Sequence, residues 1–101
     1  MRNQVLRHAG YTVVTARGID EALHAAYSGE FEVVIIGDLF STAEMNLIAT
    51  TARHAGSEVL CIHSEISPPE VKDATAFIHN LDGPERLIAT VAALMRKAAS
   101  A

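Results

Sequence analysis

The chain is short of several residue types, and each shortage closes off a class of function. It holds one cysteine, Cys61, in 101 residues, so an internal disulfide is impossible and a reducing cytoplasm is the expected compartment. Cys61 lies inside an apolar run and reads as a small buried hydrophobe rather than a reactive thiol. Cations are scarce: Lys and Arg total 8 against 12 acids, for a net charge of -4. That balance removes the long-range attraction that nucleic acids and anionic lipid surfaces need, so neither is an expected partner. No apolar stretch approaches the roughly 18 residues of a membrane-spanning helix, and the opening MRNQVLRHAG lacks a signal-peptide pattern.

Catalytic signatures are missing too. There is no H-E-x-x-H, G-x-S-x-G, P-loop or G-x-G-x-x-G, and the histidines (His8, His24, His54, His63, His79) show no metal-ligand spacing. No enzymatic activity is expected. What remains is a chain half hydrophobic and one fifth charged, a composition that folds. Residues 1–101 are read as one domain, long enough for a single core and too short for two.

Periodicity gives helices alternating with short apolar strands, the sequence form of a parallel sheet covered by helices. Arg2 to Ala9 reads as a helix stopped by Gly10. Thr12 to Ala16, rich in β-branched residues, reads as a strand. Ile19, Ala22, Leu23, Ala26 and Tyr27 form a helical stripe closed by Gly29. Val33 to Ile36, apolar without alternation, suits a strand buried on both faces. Ser41 and Glu44 form a capping box opening a helix whose stripe is Met45, Ile48, Ala49 and Ala52, with Gly56 beyond it. Val59 to Ile62 reads as a second buried strand. Pro68 and Pro69 leave room for about one helical turn over 67–73. Ala76 to Ile78 reads as the last strand. The run from Asp82 to Glu85 starts a helix with core positions Leu87, Ile88, Val91, Leu94 and Met95, and the tail Ala98 to Ala101 is expected to fray.

This order, with AGYTVV at 9–14 and Ala16, EAL at 21–23, FEVVII at 31–36, AFI at 76–78, and Pro84, Glu85 and Leu87, resembles the receiver domain of bacterial response regulators in two-component phosphorelays. The resemblance spans residues 4 to 97. It implies a flavodoxin-like (CheY-like) α/β fold, a parallel sheet covered by helices on both faces. The family's first strand is absent from this chain, which opens in its first helix, and the fourth helix is shortened. The natural protein is accordingly expected to begin upstream, leaving this chain N-terminally truncated.

The family's chemistry maps poorly. The phosphoacceptor position matches Gly37, with Asp38 one residue later, where alternation along a strand turns a side chain to the opposite face unless the chain bulges. The switch Thr or Ser position matches His63, followed by Ser64, and the lysine position matches Asn80, which carries no charge to neutralise a phosphoryl group. The two acids that hold the family's Mg²⁺ would precede residue 1, so no metal ligand can be assigned. The expectation is a pseudo-receiver: a cytoplasmic module that binds other signalling proteins, with homodimerisation possible, and does not transfer phosphoryl groups. Two alternatives stay open. One is a conventional acceptor using Asp38 and Mg²⁺; the other is a small-molecule or nucleotide-binding domain at the strand C-terminal ends, near Gly37, His63 and His79.

Overall fold

Residues 2–100, which the computed structural model describes, form three parallel strands and four helices. In chain order these are α1 (Arg2–His8), α2 (Ile19–Ser28), β1 (Val33–Ile36), α3 (Thr42–His54), β2 (Glu58–His63), β3 (Ala76–His79) and α4 (Pro84–Ala99). The strands lie side by side as β1-β2-β3, with Val33 opposite Glu58 and His63 opposite His79.

The central strand, β2, is buried at every position, and its alternating side chains feed two separate cores. Val59 and Cys61 point to the side of α2 and α3, where they meet Ala26, Met45, Ile48 and Ala49. Leu60 and Ile62 point to the side of α1 and α4, against Leu6, Leu87, Val91 and Leu94. Helices thus cover both faces, which is why VLCI can be apolar without alternation. Junction chemistry follows the local sequence. The capping box at α3 forms in both directions: Glu44 N–H donates to Ser41 Oγ at 3.2 Å and Ser41 N–H to Glu44 Oε1 at 2.9 Å. At the end of α2, Gly29 takes φ +69°, and a Cβ there would sit 3.1 Å from the Ala55 carbonyl, so both conformation and space call for glycine.

Several expectations need correction. Thr12 to Ala16 runs without turn or bend but joins no ladder; no strand among the described residues pairs with it, and β-propensity cannot supply a missing partner. Its packing is nonetheless directional: Tyr11 and Val13 lean on the core under α1 and α4, and Ala16 on the other. For the same reason β1 is only half-buried at Val33, Val34 and Ile35, because one of its edges is bare. No helical turn forms over 67–73; only a turn at Lys72 and Asp73 appears, and Val71 is buried beneath it.

The helix stripes also need trimming. Tyr27 faces outward at 79% exposure, since the apolar face of α2 is narrow enough for Ala22 and Ala26 to fill. The helix start expected over Asp82 to Glu85 is present, with α4 opening at Pro84. The cap is Gly83, and the Asp82 carboxylate turns back to accept the His79 N–H at 2.7 Å. Ile88 and Met95 are half-buried at the margin of the stripe rather than in the core. Of the tail expected to fray, Ala98 and Ala99 remain helical, and Ala101 lies outside the described residues.

Candidate functional site

Two of the residues singled out in the sequence, His63 and His79, meet at one end of the sheet, at the C-terminal ends of β2 and β3. His63 closes β2 and His79 closes β3 in register with it, so alternation directs both side chains to the same face. Their rings meet edge to face, with centroids 5.3 Å apart and planes at 83°, a favourable arrangement for π systems.

Hydrogen bonds assign a distinct protonation pattern to each ring. His79 Nδ1 accepts the Leu81 N–H at 3.1 Å, so its proton sits on Nε2 and is donated to the Ser64 carbonyl at 3.2 Å. Both nitrogens of His79 are therefore committed to loop backbone. His63 is only 7% exposed, and its Nδ1 donates to the Glu65 carbonyl at 3.0 Å. That leaves Nε2 without a hydrogen-bond partner among the described residues. No buried side-chain nitrogen or oxygen among the described residues lacks a partner, so this nitrogen reaches solvent. The Asn80 N–H donates to the His63 carbonyl at 2.8 Å, stitching the two strand ends together. The pair acts as a hinge pin for the loops that leave β2 and β3: each ring holds a carbonyl of the segment following β2, and His79 also holds the segment following β3.

The other residues do not join them. Gly37 is half-buried after β1, and Asp38 is exposed in a turn, making no hydrogen bond or ion pair among the described residues. Ser64 is exposed and contributes its carbonyl rather than its hydroxyl, and the Asn80 side chain is exposed, with no hydrogen-bonding partner among the described residues. No three His, Cys, Asp or Glu side chains among the described residues gather closely enough to hold a metal ion. Asp38 standing alone does not fit a Mg²⁺ site, because a divalent cation takes several oxygen ligands. The arrangement can present backbone and one solvent-facing imidazole nitrogen, but it offers no fixed cation to a phosphoryl group.

A second polar cluster, which the sequence did not announce, lies at the opposite end of β2. Glu58, with its side chain 8% exposed, pairs with Arg53 at 2.9 Å and Lys97 at 3.8 Å. The Thr75 hydroxyl donates to the same carboxylate oxygen at 3.0 Å while accepting the Val59 N–H at 3.0 Å. Two cations and a hydroxyl meet one carboxylate, so the cluster reads as a structural tie between α3, α4, β2 and the approach to β3. Between these ends the Cys61 thiol is pushed up to about 11 by burial, which keeps it protonated and inert at neutral pH. Among the described residues no helix is long and apolar enough to cross a membrane. The chain matches no protein-family model, no curated protein and no solved structure, and the chemistry of the corner stands in their place.

Proposed function

We propose that the chain is a flavodoxin-like (CheY-like) signal-transduction domain of the receiver type that works by contact with other proteins and not by phosphoryl transfer. The observation that carries this reading is the His63–His79 pair. The corner where the family resemblance puts phosphoryl chemistry holds two imidazoles tied to loop backbone, while Asp38 is exposed and unpartnered among the described residues. Stabilising a transferred phosphoryl group takes several positive centres aimed at its oxygens, and Gly37, His63 and Asn80 supply none that is permanent. On this reading the domain is cytoplasmic, its partners are other signalling proteins, and its output is set by who binds it.

The test is incubation with acetyl phosphate and Mg²⁺, and separately with beryllofluoride, followed by intact-mass and peptide-mass analysis and by amide chemical-shift mapping. The expected result is no modification and no shift around Gly37, His63 or Asn80. Stable phosphorylation of Asp38, or a shift that the Asp38→Asn variant abolishes, would establish the acceptor reading instead.

A further inference from the structure

The two histidines at the end of the sheet differ in what a second proton does to each ring. His63 Nδ1 donates to the Glu65 carbonyl at 3.0 Å and its Nε2 reaches solvent, so a proton comes and goes there without disturbing a hydrogen bond within the chain. His79 has no such freedom. Its Nε2 donates to the Ser64 carbonyl at 3.2 Å, and its Nδ1 accepts the Leu81 N–H at 3.1 Å. A neutral imidazole has one donor and one acceptor, whereas the imidazolium has two donors. A second proton on His79 enters only at Nδ1, in the space that the Leu81 N–H occupies. Protonation of this ring and the Leu81 hydrogen bond therefore exclude each other.

The effect on the two loops is unequal. The proton that displaces Leu81 also makes the Nε2 bond to Ser64 a charge-assisted one, which is shorter and stronger. Histidine is the side chain whose charge ordinarily changes between about pH 5 and about pH 8. We propose that His79 is a proton-operated latch: with one ring proton it holds the loop after β3 through Leu81, and with two it lets Leu81 go and grips the loop after β2 through Ser64. The release is local. The Asn80 N–H stays on the His63 carbonyl, and Asp82 keeps its N–H on the His79 carbonyl at 3.0 Å and its carboxylate on the His79 N–H at 2.7 Å. What changes is the placement of Leu81, an apolar side chain that is 84% exposed at the rim of the sheet.

The charged groups of the surrounding segments leave this exchange to the ring itself. They are Asp82 on the same loop, Glu65 after β2, Asp38 after β1, Glu44 at the start of α3, and Glu85 and Arg86 at the start of α4. Asp82 and Glu44 are occupied by backbone N–H groups, and no ion pair joins any of these residues to either ring among the described residues. The latch goes beyond the contact-module reading, since it rests on the hydrogen bonds of one ring and not on what the domain binds.

The test is NMR of the intact chain between about pH 8 and about pH 5. Long-range proton–nitrogen spectra of the imidazoles show where each ring proton sits. Solvent exchange of the Leu81 amide, corrected for the intrinsic effect of pH, shows whether its bond is made. At the alkaline end His79 should carry its proton on Nε2 alone. On acidification Leu81 protection should fall by about fivefold, the equilibrium equivalent of one ordinary hydrogen bond, along the same curve as protonation of the His79 ring. His79→Asn offers the Leu81 N–H a neutral side-chain oxygen in the geometry of an Asx turn, so protection should no longer depend on pH. His63→Asn should leave the Leu81 response in place.

A His79 proton on Nδ1 at the alkaline end, a ring still neutral at the acid end, or Leu81 protection that ignores pH would each overturn the latch. So would a Leu81 response that follows the His63 curve or survives in His79→Asn. The ring spectra are read on the unsubstituted chain, so they decide the matter even where a variant misfolds. The two readings fail separately: phosphorylation of Asp38 defeats the contact-module reading and leaves the Leu81 response untouched, whereas a Leu81 amide indifferent to pH defeats the latch alone.

Discussion

The two ends of β2 solve the same problem in opposite ways. Each must bring a polar residue to the rim of an apolar strand covered on both faces. At the N-terminal end Glu58 does so with charge, gathering Arg53, Lys97 and the Thr75 hydroxyl around one carboxylate oxygen. At the C-terminal end His63 does so without a formal partner charge, through the Glu65 carbonyl and the edge of His79. The difference shows where the molecule is tied and where it is free. Removing a partner from the charged knot strands other groups, whereas the imidazole end hands its hydrogen bonds to exposed loop backbone that water can satisfy. Function is more easily grafted onto the second kind of end.

The contrast can be tested in descending order of effect. The middle of the strand should ignore it: Leu60, fully buried against α1 and α4, loses packing in Leu60→Ala, and urea unfolding should register a loss of about 2–5 kcal/mol. Next comes Glu58→Ala, which strips the knot of its acceptor; the same measurement should show a loss of about 1–3 kcal/mol, reduced at high salt because Arg53 and Lys97 are partly exposed.

The buried thiol between the ends supplies a pH signature. Its folded value of about 11 lies above the ordinary 9.0, so the unfolded chain loses its proton first. Stability is undiminished below pH 9 and declines as pH rises toward 11. Between pH 9 and 10 the decline should be about 1 kcal/mol, and Cys61→Ala should flatten this part of the profile. Smallest is His63→Leu, expected to cost less than about 1 kcal/mol because the carbonyl it releases is on an exposed loop. A cost equal to that of Glu58→Ala would erase the distinction between the ends.

Much of this architecture was legible in the residues. The unbroken apolar runs VVII and VLCI located β1 and β2, and the S-x-x-E box located the start of α3, because each depends on neighbours a few positions away. The corner was half legible: His63 and His79 follow apolar strands directly, so their adjacency follows from register, but the assignment of their protons depends on carbonyls of Ser64 and Glu65 in an irregular loop. Thr12 to Ala16 was misread because a strand is a relation between segments, and β-branching reports only one side of it. Glu58 gave no signal, since its partners Arg53 and Thr75 stand 5 and 17 residues away on different elements.

One side chain on α3 has a mechanical consequence for the long connection between β2 and β3. Asn46 donates to the carbonyls of Thr42 at 3.0 Å and Glu70 at 2.8 Å, and accepts the Lys72 N–H at 3.1 Å. The second half of that connection is thereby clamped to the helix, while Ile66, at 101% exposure, stands between this clamp and the Ser64 and Glu65 carbonyls held by the two histidines. Thermolysin, which cleaves ahead of bulky apolar residues, should therefore spare the stretch around Val71 and nick the folded chain at the Glu65–Ile66 bond, faster in His63→Leu, where the Glu65 carbonyl is no longer held.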